Sequence, residues 1–196
     1  MGMSSFGDDG GRRDGSDIAD VTVRALDPIG DIRGDLCEIH RDEWELAPRP
    51  VQWTFVSTKP RVLRGVHVHY LRWDYMIVVD GHATIGLKDV RHDQKSFGHK
   101  MMIEVTGDEP TAVTIPPGVA HGIYANSALR YLYGLTVAWD GSDEDVGCRF
   151  DDPALAINWP SATPLVLPRD LDLPDFATLL RRYKAMLIAP PRNAPL

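Results

Sequence analysis

Residues 62–89, "VLRGVHVHYLRWDYMIVVDGHATIGLKD", decide how this chain is read. Short runs of Val, Ile, Tyr and Thr are cut by Gly81 and end at Asp89, the pattern of successive β-strands. The stretch also carries chemistry. On an extended strand side chains alternate, so His67 and His69 share one face, and Asp74 follows after four intervening residues. Two histidines and an aspartate can hold a metal ion; equally, His67 can be a lone base with its neighbours lining a pocket.

Outward from this stretch the texture repeats. "VTVRAL", "GDLCEIH", "VQWTFVST", "KMMIEV", "TAVTIP", "HGIYAN" and "LRYLYGLTVAW" are further strand candidates, bounded by Gly, Pro, Asp and Asn. Together with "RVLRGVHVH", "DYMIVVDG" and "HATIGLKD" they make about ten short strands at close spacing, which implies an all-β sandwich or barrel. Only the C-terminal region reads as helical. "LPDFATLLRRYKAMLI" sets Phe176, Leu179, Leu180, Tyr183 and Leu187 at three- and four-residue spacing, predicting a helix over about 174–188 that stops before Pro190. Residues 1–17 are Gly-, Ser- and Asp-rich and are expected to be a disordered tail, as is the Pro-rich 190–196. One domain over 18–189 remains, with no internal repeat.

The bulk numbers exclude several functions. A chain of 196 residues, 43% hydrophobic and 25% charged, is long enough to bury a sizeable core. Its net charge of -7 and the lack of Lys/Arg runs longer than a pair argue against nucleic acid. No window approaches the roughly 18 apolar residues of a membrane span, and the N-terminus lacks the apolar run of a secretory signal. The two cysteines, Cys37 and Cys148, are scattered without repeated spacing and fit a reducing, cytoplasmic setting.

A second motif, "IPPGVAHG" (115–122), places His121 three residues after the glycine of a Pro-x-Gly turn. The full spacing is His-x-His, four residues, Asp74, six residues, Gly81, then Pro-x-Gly-x-x-His. This resembles the two-motif signature of the cupins, double-stranded β-helix jelly-roll barrels. More of the chain resembles one narrower family, the dTDP-4-dehydrorhamnose 3,5-epimerases. The matching pieces are "DIRGDLCE" (31–38), "VLRGVH" (62–67), "SFG" (96–98), "IPPGVAHG", "YLYGLT" (131–136), "FDDPALAINWP" (150–160) and "LPRDLDLP" (167–174), collinear over about 150 residues.

The resemblance implies epimerisation at C3, or at C3 and C5, of a nucleotide-linked 4-keto-6-deoxy sugar, with no cofactor and in a homodimer. It makes His67 the base, Asp170 its partner and Tyr133 the acid. His121 becomes a pocket histidine, Arg64 a diphosphate ligand, and Arg33 and Glu38 nucleotide contacts, Arg33 reaching across the dimer. The chemistry agrees: removing a proton beside a ketone needs a base in reach and a stabilised enolate, and imidazole titrates near working pH.

Two residues depart from the family. His69 stands where an amide is usual and Asp74 where a lysine steadies the enolate oxygen, although a carboxylate there would repel it. A protonated His69 is the sequence's own substitute. "GVHVH" also leans toward the sugar 3,4-ketoisomerase cupins. A metal-dependent alternative stays open: His67, His69, Asp74 and His121 binding one transition metal such as Fe, Mn, Ni or Zn. It excludes the base mechanism at His67, because one lone pair cannot serve both. A sugar-binding or inactive relative is the third reading.

Overall fold

The computed structural model describes residues 18–44, 48–139 and 146–188. The two expected tails, 1–17 and 190–196, fall outside the described residues. Twelve strands run in chain order: β1 (Thr22–Ala25), β2 (Ile29–Asp31), β3 (Gly34–Leu36), β4 (Gln52–Thr58), β5 (Leu63–Val68), β6 (Asp74–Asp80), β7 (His82–Asp89), β8 (Lys100–Thr106), β9 (Thr111–Ile115), β10 (Val119–Ala125), β11 (Leu129–Leu135) and β12 (Val146–Gly147). Two helices follow, the single turn α1 (Pro168–Leu171) and α2 (Phe176–Ile188).

The strands form two five-stranded sheets, ordered β1-β9-β6-β11-β4 and β12-β5-β10-β7-β8, with β2 and β3 a separate hairpin. Every strand pairing is antiparallel. The sheets face each other as a cupin jelly roll. Between them lies the main core, with Met76, Val78, Val113, Ile115 and Tyr131 from the first sheet against Ile85, Leu87, Val119 and Ile123 from the second.

Both sheets are also covered outside. Leu26, Tyr75, Ile77 and Ala112 lie under Cys37, Ile39 and Trp44. On the other side Val66, Val68, Ala120 and Tyr124 lie under Phe150, Leu155, Ile157 and helix α2. Double covering explains why β10, "VAHGIYA", is buried at every position, and β6 at five of seven, instead of alternating. Edge strand β4, covered on one face, does alternate along "QWTFVST".

Helix α2 begins two residues later than its periodicity predicts, because Asp175 caps it, accepting from Thr178 N at 2.7 Å. Phe176, Leu179 and Tyr183 are buried as expected, but Leu187 is 55% exposed. Met186, partly buried, packs on the sheet in its place. The strand expected over 129–139 ends at Leu135, and that expected over 34–40 at Leu36. Both cysteines are free thiols, and burial pushes that of Cys148 up to about 12. Among the described residues no helix is long and apolar enough to cross a membrane.

Candidate active site

Between the sheets a cavity of about 470 Å³ is lined by His67, His69, Asp74, His121, Arg64, Tyr131 and Tyr133, and by Asp170 from α1. The motif strands meet through register. His121 on β10 is the Cα partner of His67 on β5, with a bulge just after it. Gly65 makes that approach possible: it takes φ 120°, and a Cβ there would come within 2.7 Å of His121 O. Gly118, at φ 77°, ends the Pro-x-Gly turn and donates to His69 O at 2.7 Å, tying the two motifs together.

Asp170 arrives from 103 residues down the chain. Residues 161–165 run beside the start of β5, with Leu165 N on Arg61 O at 2.7 Å and Leu63 N on Leu165 O at 3.0 Å. The turn of α1 then sets Asp170 Oδ1 3.1 Å from His67 Nε2. The carboxylate side chain is 5% exposed, the imidazole 24%. That contact engages Nε2 of His67.

His69 and His121 both aim Nε2 at one oxygen of Asp74, at 3.3 and 2.9 Å. His121 Nδ1 lies 2.9 Å from Val119 O. Burial alone would raise the Asp74 carboxyl, but His69 and His121 beside it outweigh burial and hold it far below the usual carboxylate range. The candidate ligand atoms of His69, Asp74 and His121 lie within 4.8 Å of one another, all three residues buried. His67 is outside this group and faces Asp170. The four-residue metal set expected from the sequence is thus reduced to three, because α1 supplies His67 with a carboxylate of its own.

Tyr131 and Tyr133 share one face of β11, ring centroids 6.2 Å apart. Burial pushes the Tyr131 hydroxyl up to about 12, although Arg64 nearby opposes this. Tyr131 belongs to the core; Tyr133 is only partly buried. Arg64 reaches the pocket with Nε on Thr58 Oγ1 at 3.2 Å. Arg33 and Glu38 do not reach it: Arg33, 81% exposed, pairs with Asp31, and Glu38 pairs with Arg41. Among the lining residues that the sequence reading missed are Arg72, Trp139, Arg169 and Leu173. All lie outside the strands, where hydrophobic period gives no signal.

A family model described as dTDP-4-dehydrorhamnose 3,5-epimerase matches residues 15–178. The spore coat polysaccharide biosynthesis protein SpsL of Bacillus subtilis (strain 168) is 30% identical over 145 residues, covering 72% of this chain and 96% of that one. A dTDP-4-dehydrorhamnose 3-epimerase of Streptomyces niveus is 30% identical over 138 residues, covering 69% of this chain and 61% of its own. Among solved structures, the dTDP-6-deoxy-D-glucose-3,5-epimerase RmlC of Legionella pneumophila, in complex with dTDP-4-keto-L-rhamnose, superposes with TM-score 0.75 at 25% identity. That match covers 83% of this chain and 93% of the other.

Proposed function

The chain belongs to the dTDP-4-dehydrorhamnose 3,5-epimerase family, and from that membership we propose a cofactor-free epimerisation with His67 as base and Tyr133 as acid. The substrate is a nucleotide-linked 4-keto-6-deoxy sugar. His67 Nδ1 takes the proton from C3, or from C3 and then C5, and the electron pair of the broken C–H bond moves onto the C4 oxygen. Asp170 stabilises the imidazolium so formed. The Tyr133 hydroxyl returns a proton to the opposite face of the same carbon, collapsing the enolate to the ketone. The tyrosinate then regains a proton from water and the imidazolium loses one.

One observation carries this assignment. His67 stands on β5 and Tyr133 on β11, which belong to opposite sheets, and both line one cavity. Sheets packed face to face are about 10 Å apart, so a ring held between them meets one group on each side. Inversion demands that arrangement; simple exchange does not.

Arg64 is assigned to the diphosphate, where a planar guanidinium matches two oxygens at once. Arg33 and Glu38 face away from their own pocket, which is consistent with a homodimer in which the arm carrying them serves the partner's site. Exposed Ile29, Ile32 and Leu36 on the β2–β3 hairpin, and Trp53 and Phe55 on edge strand β4, supply apolar surface for such a contact. The setting is assigned as cytoplasmic, in the assembly of deoxysugar-containing polysaccharides or glycosylated metabolites.

The test is solvent-deuterium uptake by dTDP-4-keto-6-deoxyglucose, one deuteron for a 3-epimerase and two for a 3,5-epimerase. A folded His67→Asn is expected to lose uptake by 10²-fold or more, about the contribution of a positioned base. Undiminished uptake would remove His67 as the base.

The convergence of His69, Asp74 and His121 favours one competing reading, a metal-dependent enzyme. It requires about one transition metal per purified chain and activity lost to chelators. The epimerase reading expects substoichiometric metal and no chelator effect.

A further inference from the structure

An enolate needs positive charge near its oxygen, and the carboxylate of Asp74 borders the pocket where that charge should be. The structure brings a residue with no place in the sequence motifs to this spot. Arg72 lies between β5 and β6, yet its side chain is only 7% exposed and lines the same cavity as His67 and Tyr133. One terminal nitrogen is 3.2 Å from His69 Nε2, and Nε is 3.7 Å from Asp74 Oδ1.

Long cationic side chains are seldom buried, because leaving water is costly unless the charge is matched. Here Asp74 matches it and turns an oxygen toward it, while the other oxygen is held by His69 and His121. The carboxylate thus lies between the two histidines and the guanidinium, with Oδ1 at an ion-pair distance of 3.7 Å from Arg72 Nε rather than hydrogen-bonded to it. A guanidinium carries five N–H donors in a rigid fork, so one edge can be anchored while another is presented to a ligand. As a group, guanidinium keeps its charge through the physiological pH range, whereas imidazole does not.

We propose that Arg72 supplies the positive charge that stabilises the enolate oxygen, held in the cavity by its ion pair with Asp74. The assignment rests on the epimerase reading. It makes the substitution at position 74 an exchange of machinery: in place of one ammonium on β6, this chain sets an aspartate there and anchors a guanidinium from the preceding loop.

The experiment is steady-state deuterium uptake into dTDP-4-keto-6-deoxyglucose by wild type, R72M, R72Q and R72K. Loss of one such donor lowers kcat by about 10²–10³. The neutral variants are expected to lose kcat by at least 10²-fold with KM within about threefold, and R72K to regain tenfold or more of that loss. Arg72 acting only as packing would raise KM or lower the melting temperature and leave kcat on the folded fraction unchanged. R72M or R72Q, whichever folds, within threefold of wild-type kcat overturns the assignment and leaves epimerisation standing. No uptake by wild type removes the reaction itself, and the assignment with it.

Discussion

At the scale of single residues, the site divides its carboxylates between two tasks. Asp170 faces one imidazole, the proposed base; Asp74 faces two imidazoles and a guanidinium. The sequence carried the first pairing only through resemblance, since nothing local marks residue 170 as a neighbour of residue 67. The contact with Asp170 engages Nε2 of His67. Arg72 was illegible because a loop arginine looks like any solvated one until its burial is known. Tyr133 provides the sharpest check on the roles. With Tyr133→Phe, His67 can still remove and return a proton on its own face. Deuterium uptake is expected to persist within about tenfold while inversion falls at least 10²-fold, as read by NMR of the product sugar. Equal loss of both would assign the tyrosine to substrate positioning.

Elements were legible in proportion to their length. Strands of five residues or more were read from β-branched and aromatic runs, and the sheets use nearly all of them. The three-residue β2, the two-residue β12 and the one-turn α1 carry too few side chains for a period, yet α1 delivers the Asp170 carboxylate. Full burial of β10 also hid which face of that strand meets the site, because alternation is the sequence signal for facing and a doubly covered strand has none. Helix α2 belongs to the outer layer. Leu179, fully buried between that helix and the second sheet, is its central contact. Leu179→Ala is expected to cost about 2–5 kcal/mol, the usual range for a core leucine truncated to a methyl group. Calorimetry reads this as a fall in melting temperature of about 2–4 °C per kcal/mol. kcat below the transition should stay within twofold, because α2 does not line the cavity.

For the molecule as a whole, the number and spacing of the strand candidates already pointed to the jelly roll. Arg33 and Glu38 do not line the pocket of their own chain, and the proposed homodimer would bring them to the partner's. Edge strand β4 presents Trp53 at 41% and Phe55 at 58% exposure beside unpaired backbone, the surface on which a second copy is expected to add. Phe55→Asp places a charge in that surface. Sedimentation should then show monomer where wild type shows dimer, and KM for the nucleotide sugar should rise by tenfold or more as Arg33 is withdrawn. A wild-type chain that sediments as a monomer with full activity would end the shared-site reading.

The long sequence gap between His67 and Asp170 has a consequence for synthesis. All twelve strands of the described residues are encoded before residue 148, so the strands and the histidines they carry leave the ribosome first. Until residue 170 clears the exit tunnel, they lack the carboxylate behind the reactive ring. The proposed pairing of base and carboxylate is therefore completed only after every described strand has been synthesised.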